Sequence, residues 1–448
     1  MPGSSGSGGP PLALPRLFPV RQAVRGPRVD AIAAEVDRSL AALALGAEIE
    51  PGSCVAIAVG SRGITNLRAV VSAIVAHVRA LGAEPFVVPA MGSHGGATAA
   101  AQESLLAGYG IDEAGVGCPV RSSMDVVEID RSKLGFPLVF DRLAHEADHV
   151  VLCNRVKPHT LFTGPVESGL MKMWFIGLGK QRGAALAHRA IVQHGWMPVI
   201  EDVAPRLLEH TNVRAGVALV ERGDDQTAEV AALRPERILL DEPALLDQAR
   251  AWMARLPFDD IDVLLVDRIG KNISGAGLDT NVVGRKHDPS PPASRADATV
   301  GATAGPPGAA APNVRYLVVR GLTPETAGNA LGIGHAELCR TRVLRDMDVA
   351  VTRTNALTAL DIAAAVLPFD YETDREILEV VLPMIGLRRP EEARILWIAD
   401  TLHLHELWCS EALRAEAEVR TDLEVLEGSR PFAFDADGNL PDAIPPVP

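Results

Sequence analysis

Apolar positions along the chain fall into two recurring patterns. Short runs dominated by Val, Ile, Leu and Ala occupy 54–59, 85–88, 149–153, 215–220 and 262–266. Such runs have the form of strands buried on both faces. Between them, apolar residues recur at helical spacing. Ile32, Val36, Leu40 and Leu43 predict a helix over 29–45. Further helices are expected at 67–81, where Gly82 stands at the C′ position, and at 98–107, 184–192, 199–210 and 243–255. Strands that alternate with helices predict parallel sheets with crossover connections.

The alternation restarts after residue 256. Strands are expected at 262–266, 316–319, 349–351 and 395–399, with helices at 323–331, 354–366 and 374–386. The pattern therefore predicts an α/β protein of two domains, with parallel or mixed sheets flanked by helices and an active site in the interdomain cleft. The domains are placed at 28–256 and 257–435. A flexible arm of residues 1–27 precedes them and a tail of residues 436–448 follows. Residues 288–313 are rich in Pro, Ala and Gly and read as an exposed low-complexity loop.

Composition narrows the partners. The chain has 448 residues and a formal net charge of −14, which argues against binding nucleic acid through phosphate neutralisation. Its five cysteines are scattered without a Cys-x-x-Cys motif and read as buried reduced thiols. No apolar run reaches the ~18 residues of a membrane span, and the Gly/Ser-rich start lacks the apolar core of a signal peptide. A soluble cytoplasmic protein, monomer or homodimer, is the expectation. Aromatic residues make up only 4% of the chain, which predicts a site built on charge and glycine-shaped backbone rather than on stacking.

Three segments place polar groups just after an apolar strand, where open parallel sheets bind ligands. The first is Val59-Gly-Ser-Arg62-Gly, with Arg62 placed to hold an anion. The second is Met91-Gly92-Ser-His94-Gly95-Gly96-Ala-Thr98. Its glycines free the backbone, and its His is suited to proton transfer near neutral pH. The third runs from Asn154 to Lys180 and gathers Lys157, His159, Glu167, Lys172 and Lys180 among apolar and glycyl residues, with His188 following. Lys172 sits between Met171 and Met173, surroundings that favour a reactive amine.

Together these segments resemble the nickel-pincer lactate racemase family, over about 55–400 and most closely over 60–188. The resemblance implies a 2-hydroxy acid racemase or epimerase, acting on a lactate-like or sugar acid. It implies a nickel pyridinium-3,5-bisthiocarboxylic acid mononucleotide as cofactor, and cofactor-maturation enzymes as partners. His94 and His159 match the two catalytic histidines, Lys172 the cofactor-anchoring lysine and His188 the nickel ligand. Arg62 matches an Arg that supports cofactor and substrate, the turn of Gly92, Gly95 and Gly96 would hold the cofactor phosphate or the substrate carboxylate, and Lys180 is the second candidate anchor.

The chain also departs from the family. The Asp-x-Thr-Arg loop is Val59-Gly-Ser-Arg here, and the His159–Lys172 interval is a few residues longer. Asp279 and Asn281 match a Gly-rich substrate turn, but the Tyr-Gln-x-x-Lys that should follow is absent. Lys271, Arg285 or Lys286 are the cations available to replace it. The resemblance implies that either histidine takes the hydroxyl proton while C2 gives up hydride, and that the other returns it. Two other readings remain. One is a zinc hydrolase or lyase using His94, His159 and His188. The other is a non-catalytic protein that binds a small anion.

Overall fold

The computed structural model describes residues 13–60, 63–286 and 311–447. Fifteen strands are present among them. They are β1 Leu17–Gln22, β2 Cys54–Val59, β3 Glu84–Pro89, β4 Val126–Arg131, β5 Pro137–Asp141, β6 His149–Arg155, β7 Val213–Glu221, β8 Thr227–Leu233, β9 Asp260–Val266, β10 Asn313–Val319, β11 Leu338–Arg340, β12 Phe369–Tyr371, β13 Ile395–Ile398, β14 Glu406–Ser410 and β15 Leu423–Val425. One sheet has the order β3-β2-β6-β7-β8, parallel except for β8 at its edge. The other has the order β12-β11-β10-β9-β13-β14-β1-β15 and is mixed. A separate antiparallel hairpin joins β4 and β5. The molecule is thus α/β with mixed sheets, as the alternation predicts.

The unbroken apolar strands are buried on both faces. In β2, Val55, Ile57 and Val59 pack into one core, while Ala56 and Ala58 pack into another with Leu170, Met171 and Trp174. The small alanines let the helical segment from Leu170 to His194 lie close to the sheet, which brings the candidate chemistry to the strand ends. Helix Leu67–Ala80 buries Leu67, Val70, Val71, Ile74, Val75 and Val78 on the opposite face. Among the described residues, no helix is long and apolar enough to cross a membrane.

Several expectations are corrected. Residues 17–22 are not part of a flexible arm. They form β1, which pairs antiparallel with β14 and β15 of the second sheet, despite Pro19 and Arg21 in the strand. Residues 1–12 lie outside the described residues, as do 287–310 of the low-complexity segment. The end of the chain is not a free tail. Leu440 is buried, and Trp408 donates from Nε1 to the Pro445 carbonyl at 2.9 Å. Residues 349–351 begin helix Val349–Ala359 instead of a strand, because Asp348 caps the Ala350 and Val351 amides at 2.9 Å each. The helix expected at 323–331 is only a 3₁₀ turn, Pro324–Thr326.

Candidate active site

The 91–97 turn follows β3. Gly92, Gly95 and Gly96 adopt φ of 59°, 62° and 61°, a left-handed run that side chains resist. The turn is seated on the Leu170–His194 segment. The Gly92 amide donates to the Gly177 carbonyl at 3.0 Å, and a Cβ on Gly177 would stand 2.6 Å from the Ala90 carbonyl oxygen. The fully buried Gln102 side chain donates to the carbonyls of Gly92 (3.1 Å) and His94 (3.0 Å). His94 itself is exposed. Arg62 lies outside the described residues.

His159 sits in a loop whose base is closed by Lys157 and Ser168, which exchange backbone hydrogen bonds of 2.8 and 3.2 Å. Glu167 organises that loop from within. Its carboxylate is 1% exposed. It accepts from the amides of His159 (2.6 Å) and Gly164 (3.2 Å), from Arg250 (2.8 Å) and from Lys286 (3.0 Å). The His159 imidazole stacks on Phe162 with centroids 4.3 Å apart and planes 5° apart. Phe162 stacks in turn on Trp196 at 5.0 Å and 11°.

Phe162 is the meeting point of the site. The Lys172 ammonium lies 5.9 Å from its ring centroid and the His188 ring 6.5 Å. On an uninterrupted helix, residues sixteen positions apart would point about 160° apart. A π turn over Met173–Gly177 and the left-handed Lys180 (φ 53°) interrupt the winding, and both groups reach the same ring. Burial holds the His188 imidazole down at about 4, the Lys172 charge adds to this, and a hydrogen bond with the Thr358 backbone opposes it. His188 is therefore neutral at physiological pH, the state that ligates a metal.

Glu242 supports the same helical segment from below. It is fully buried and accepts the Met171 amide at 3.0 Å, beside Lys172. Burial pushes its carboxyl up to about 7, against the pull of the Met171 and Leu170 amides. A folded-state value above the unfolded one means that the native state holds the proton longer. The resulting stability is full below the unfolded value of 4.5 and is lost as pH rises through about 7. Glu242→Gln is accordingly expected to gain on the wild type by roughly 3 kcal/mol between pH 5 and pH 8. Urea unfolding of both proteins at the two pH values measures this, and parallel curves would count against it.

The other predicted residues divide. Asp279 and Asn281 are buried and dock the second unit on the His159 loop. Asn281 donates to the His159 carbonyl at 3.3 Å, and Asp279 pairs with Lys157 at 3.4 Å. Arg285 is spent within the second unit, on Glu337 (2.5 Å) and the Val314 carbonyl (2.8 Å). Lys271 donates to the Gly275 carbonyl. Lys180 is fully buried, 2.7 Å from Asp141 and 2.5 Å from the Pro89 carbonyl oxygen. That pairing removes Lys180 as a candidate anchor and Arg285 as a substrate cation. Lys157 lines a cavity of about 350 Å³ with Arg155, Glu221, Asp225, Asp279 and Thr401.

Phe162, Gln102 and Glu242 carry no signal in the sequence, and Glu167 stands there only as one ionisable group among several. Among the described residues, no group of three or more His, Cys, Asp or Glu is placed to hold a metal ion. His94, His159 and His188 thus do not assemble a three-histidine zinc centre. One neutral imidazole beside an ammonium fits a metal that arrives with its other donors already in place.

Comparison with known proteins adds one family. Residues 22–196 match the lactate racemase N-terminal domain. No curated protein matches the chain. A solved structure, the lactate racemase apoprotein from Thermoanaerobacterium thermosaccharolyticum, is similar at 14% identity and a TM-score of 0.49, over 86% of this chain and 98% of that one.

Proposed function

We propose, from the match of residues 22–196 to the lactate racemase N-terminal domain, that the chain racemises or epimerises a 2-hydroxy acid with a Lys172-tethered nickel-pincer nucleotide. The observation that carries this reading is the convergence of His159, Lys172 and His188 on the Phe162 ring. Lys172 would hold the cofactor, His188 would ligate its nickel, and the glycine turn at 92–96 would receive its phosphate. When bound, the cofactor supplies a ring carbon that accepts hydride from C2 of the substrate.

The chain's own residues do the rest. His94 and His159 handle the hydroxyl proton and the oxygen that carried it. Gln102 fixes the backbone from which His94 projects. Glu167 fixes the backbone of His159. Lys157, on the cavity wall two residues before His159 and paired there with Asp279, is the cation we assign to the substrate carboxylate.

Protein co-expressed with cofactor-maturation enzymes tests the reading. Interconversion of the enantiomers of a 2-hydroxy acid is expected, with stoichiometric nickel. His94→Ala and His159→Ala are each expected to lose about 10²–10⁴-fold in kcat and keep the nickel, whereas His188→Ala loses it. Nickel lost from both of the first two variants and kept by the third would reverse the role assignment.

A further inference from the structure

We infer that Asp225 sets the substrate class of the cavity beside Lys157: its carboxylate receives a hydroxyl from the tail of a polyhydroxylated 2-hydroxy monoacid and turns away a second carboxylate. The inference rests on the racemase reading and deepens it. Lys157 holds one end of the substrate by its carboxylate, and Asp225 stands on the wall of the same cavity, of about 350 Å³. That volume lies in the range of pockets that take ligands larger than a three-carbon acid. The Lys157 charge is felt at Asp225, so the two groups address one bound molecule.

Asp225 comes to the cavity on the turn between β7 and β8, at the carboxyl end of β7, where parallel sheets present their ligand-binding groups. The turn is held in place. The Arg222 amide donates to the Gln226 carbonyl at 3.0 Å, and the Asp225 amide to the Arg222 carbonyl at 2.9 Å. The Arg222 guanidinium donates to Asp224 at 2.8 and 3.0 Å and to the Gly26 carbonyl at 3.2 Å. A Cβ on Gly223 would stand 3.0 Å from the Ala254 nitrogen. Asp225 itself takes a left-handed φ of 59°, which Asp and Asn adopt more readily than most residues.

The cations around it are already matched. Arg155 is paired with Glu221, which also accepts the Thr65 amide at 3.3 Å. Lys157 is paired with Asp279 at 3.4 Å, Arg222 with Asp224 at 2.8 Å and His403 with Asp400 at 2.8 Å. Among the described residues, none of these groups is bonded to the Asp225 carboxylate. Burial and the neighbouring Glu221 charge push its carboxyl up to about 6, against the pull of Arg155, His403 and Lys157. The position therefore already disfavours one negative charge. A second carboxylate would add a like charge beside it without a cation of its own. A hydroxyl brings a donor and no charge, and its bond to a carboxylate is of the stronger, charge-assisted kind. The same side chain thus favours one tail and opposes the other.

Calorimetric titration of the full-length chain with three acids of equal chain length tests this. 2,3,4-Trihydroxybutanoate carries hydroxyls on its tail, 2-hydroxybutanedioate a second carboxylate, and 2-hydroxybutanoate neither. The wild type is expected to bind the trihydroxy acid about tenfold or more tighter than either of the others, the scale of one hydrogen bond to a charged group. In Asp225→Asn, which suits the same left-handed backbone, the preference for the trihydroxy acid over the diacid should shrink by about tenfold or more. A wild type that binds the diacid as tightly as the trihydroxy acid, a ratio unchanged in the variant, or binding of none of the three overturns the inference. If the variant does not fold, the wild-type ranking decides alone. In the cofactor-loaded enzyme, kcat/KM is expected to rank the three acids in the same order. A loaded enzyme that turns over none of them while the binding order holds would count against the racemase reading and leave the role of Asp225 in recognition standing.

Discussion

Lys172→Ala is expected to abolish turnover and to leave the fold intact. On the proposed role of Lys172 as the cofactor tether, activity should fall by about 10⁶-fold or more, the scale of enzymatic acceleration itself. Stability should change by less than about 0.5 kcal/mol. Lys172 is only half-buried, and its ammonium lies 5.9 Å from the Phe162 ring centroid. Intact-protein mass spectrometry supplies the decisive readout. Wild-type protein made with maturation enzymes should carry an adduct that maps to the peptide containing Lys172, and the variant should carry none. An adduct that persists in Lys172→Ala would place the tether on another residue.

That assignment was open in the sequence for a physical reason. Lys172 and Lys180 both follow apolar residues, and local chain carries no sign of which one meets a counter-charge. The distinction is made by Asp141, which arrives at the end of the β4–β5 hairpin. β4 alternates poorly and is half-exposed, so it carries no strong strand signal. The strands buried on both faces were legible, since unbroken apolar runs have few other destinations. Helix Val349–Ala359 was not, because a Val-Ala-Val run reads as strand unless the capping role of Asp348 is recognised. The glycine turn and the strand-end Lys157 were legible from their positions after β3 and β6. Phe162 was invisible for the opposite reason. It lies in an irregular loop without periodicity, and the low aromatic content suggested that stacking would play no part. Composition counts rings but does not place them, and here Phe162 and Trp196 stand together behind His159.

Lys180→Ala is expected to do the reverse of Lys172→Ala: it should destabilise the protein by about 3–5 kcal/mol, the cost of leaving one partner of a buried ion pair without the other. Lys180 and Asp141 are both fully buried, 2.7 Å apart, and the remaining support for the carboxylate is the Ala144 amide at 2.8 Å. The ammonium also donates to the Pro89 carbonyl, at the end of the strand that leads into the His94 turn. Its loss therefore loosens the joint between the glycine turn and the Leu170–His194 segment. Urea unfolding measures the effect, and a change below about 0.5 kcal/mol would show that the pair is not closed in solution. The double variant Lys180→Met with Asp141→Leu separates charge from packing. Removing both charges together should recover most of the loss, since apolar replacements of a buried pair are often neutral. A residual cost of about 1 kcal/mol should remain from the missing cap on the Ala144 amide. A double variant as unstable as Lys180→Ala would instead trace the loss to the packing of the two side chains and not to their charges.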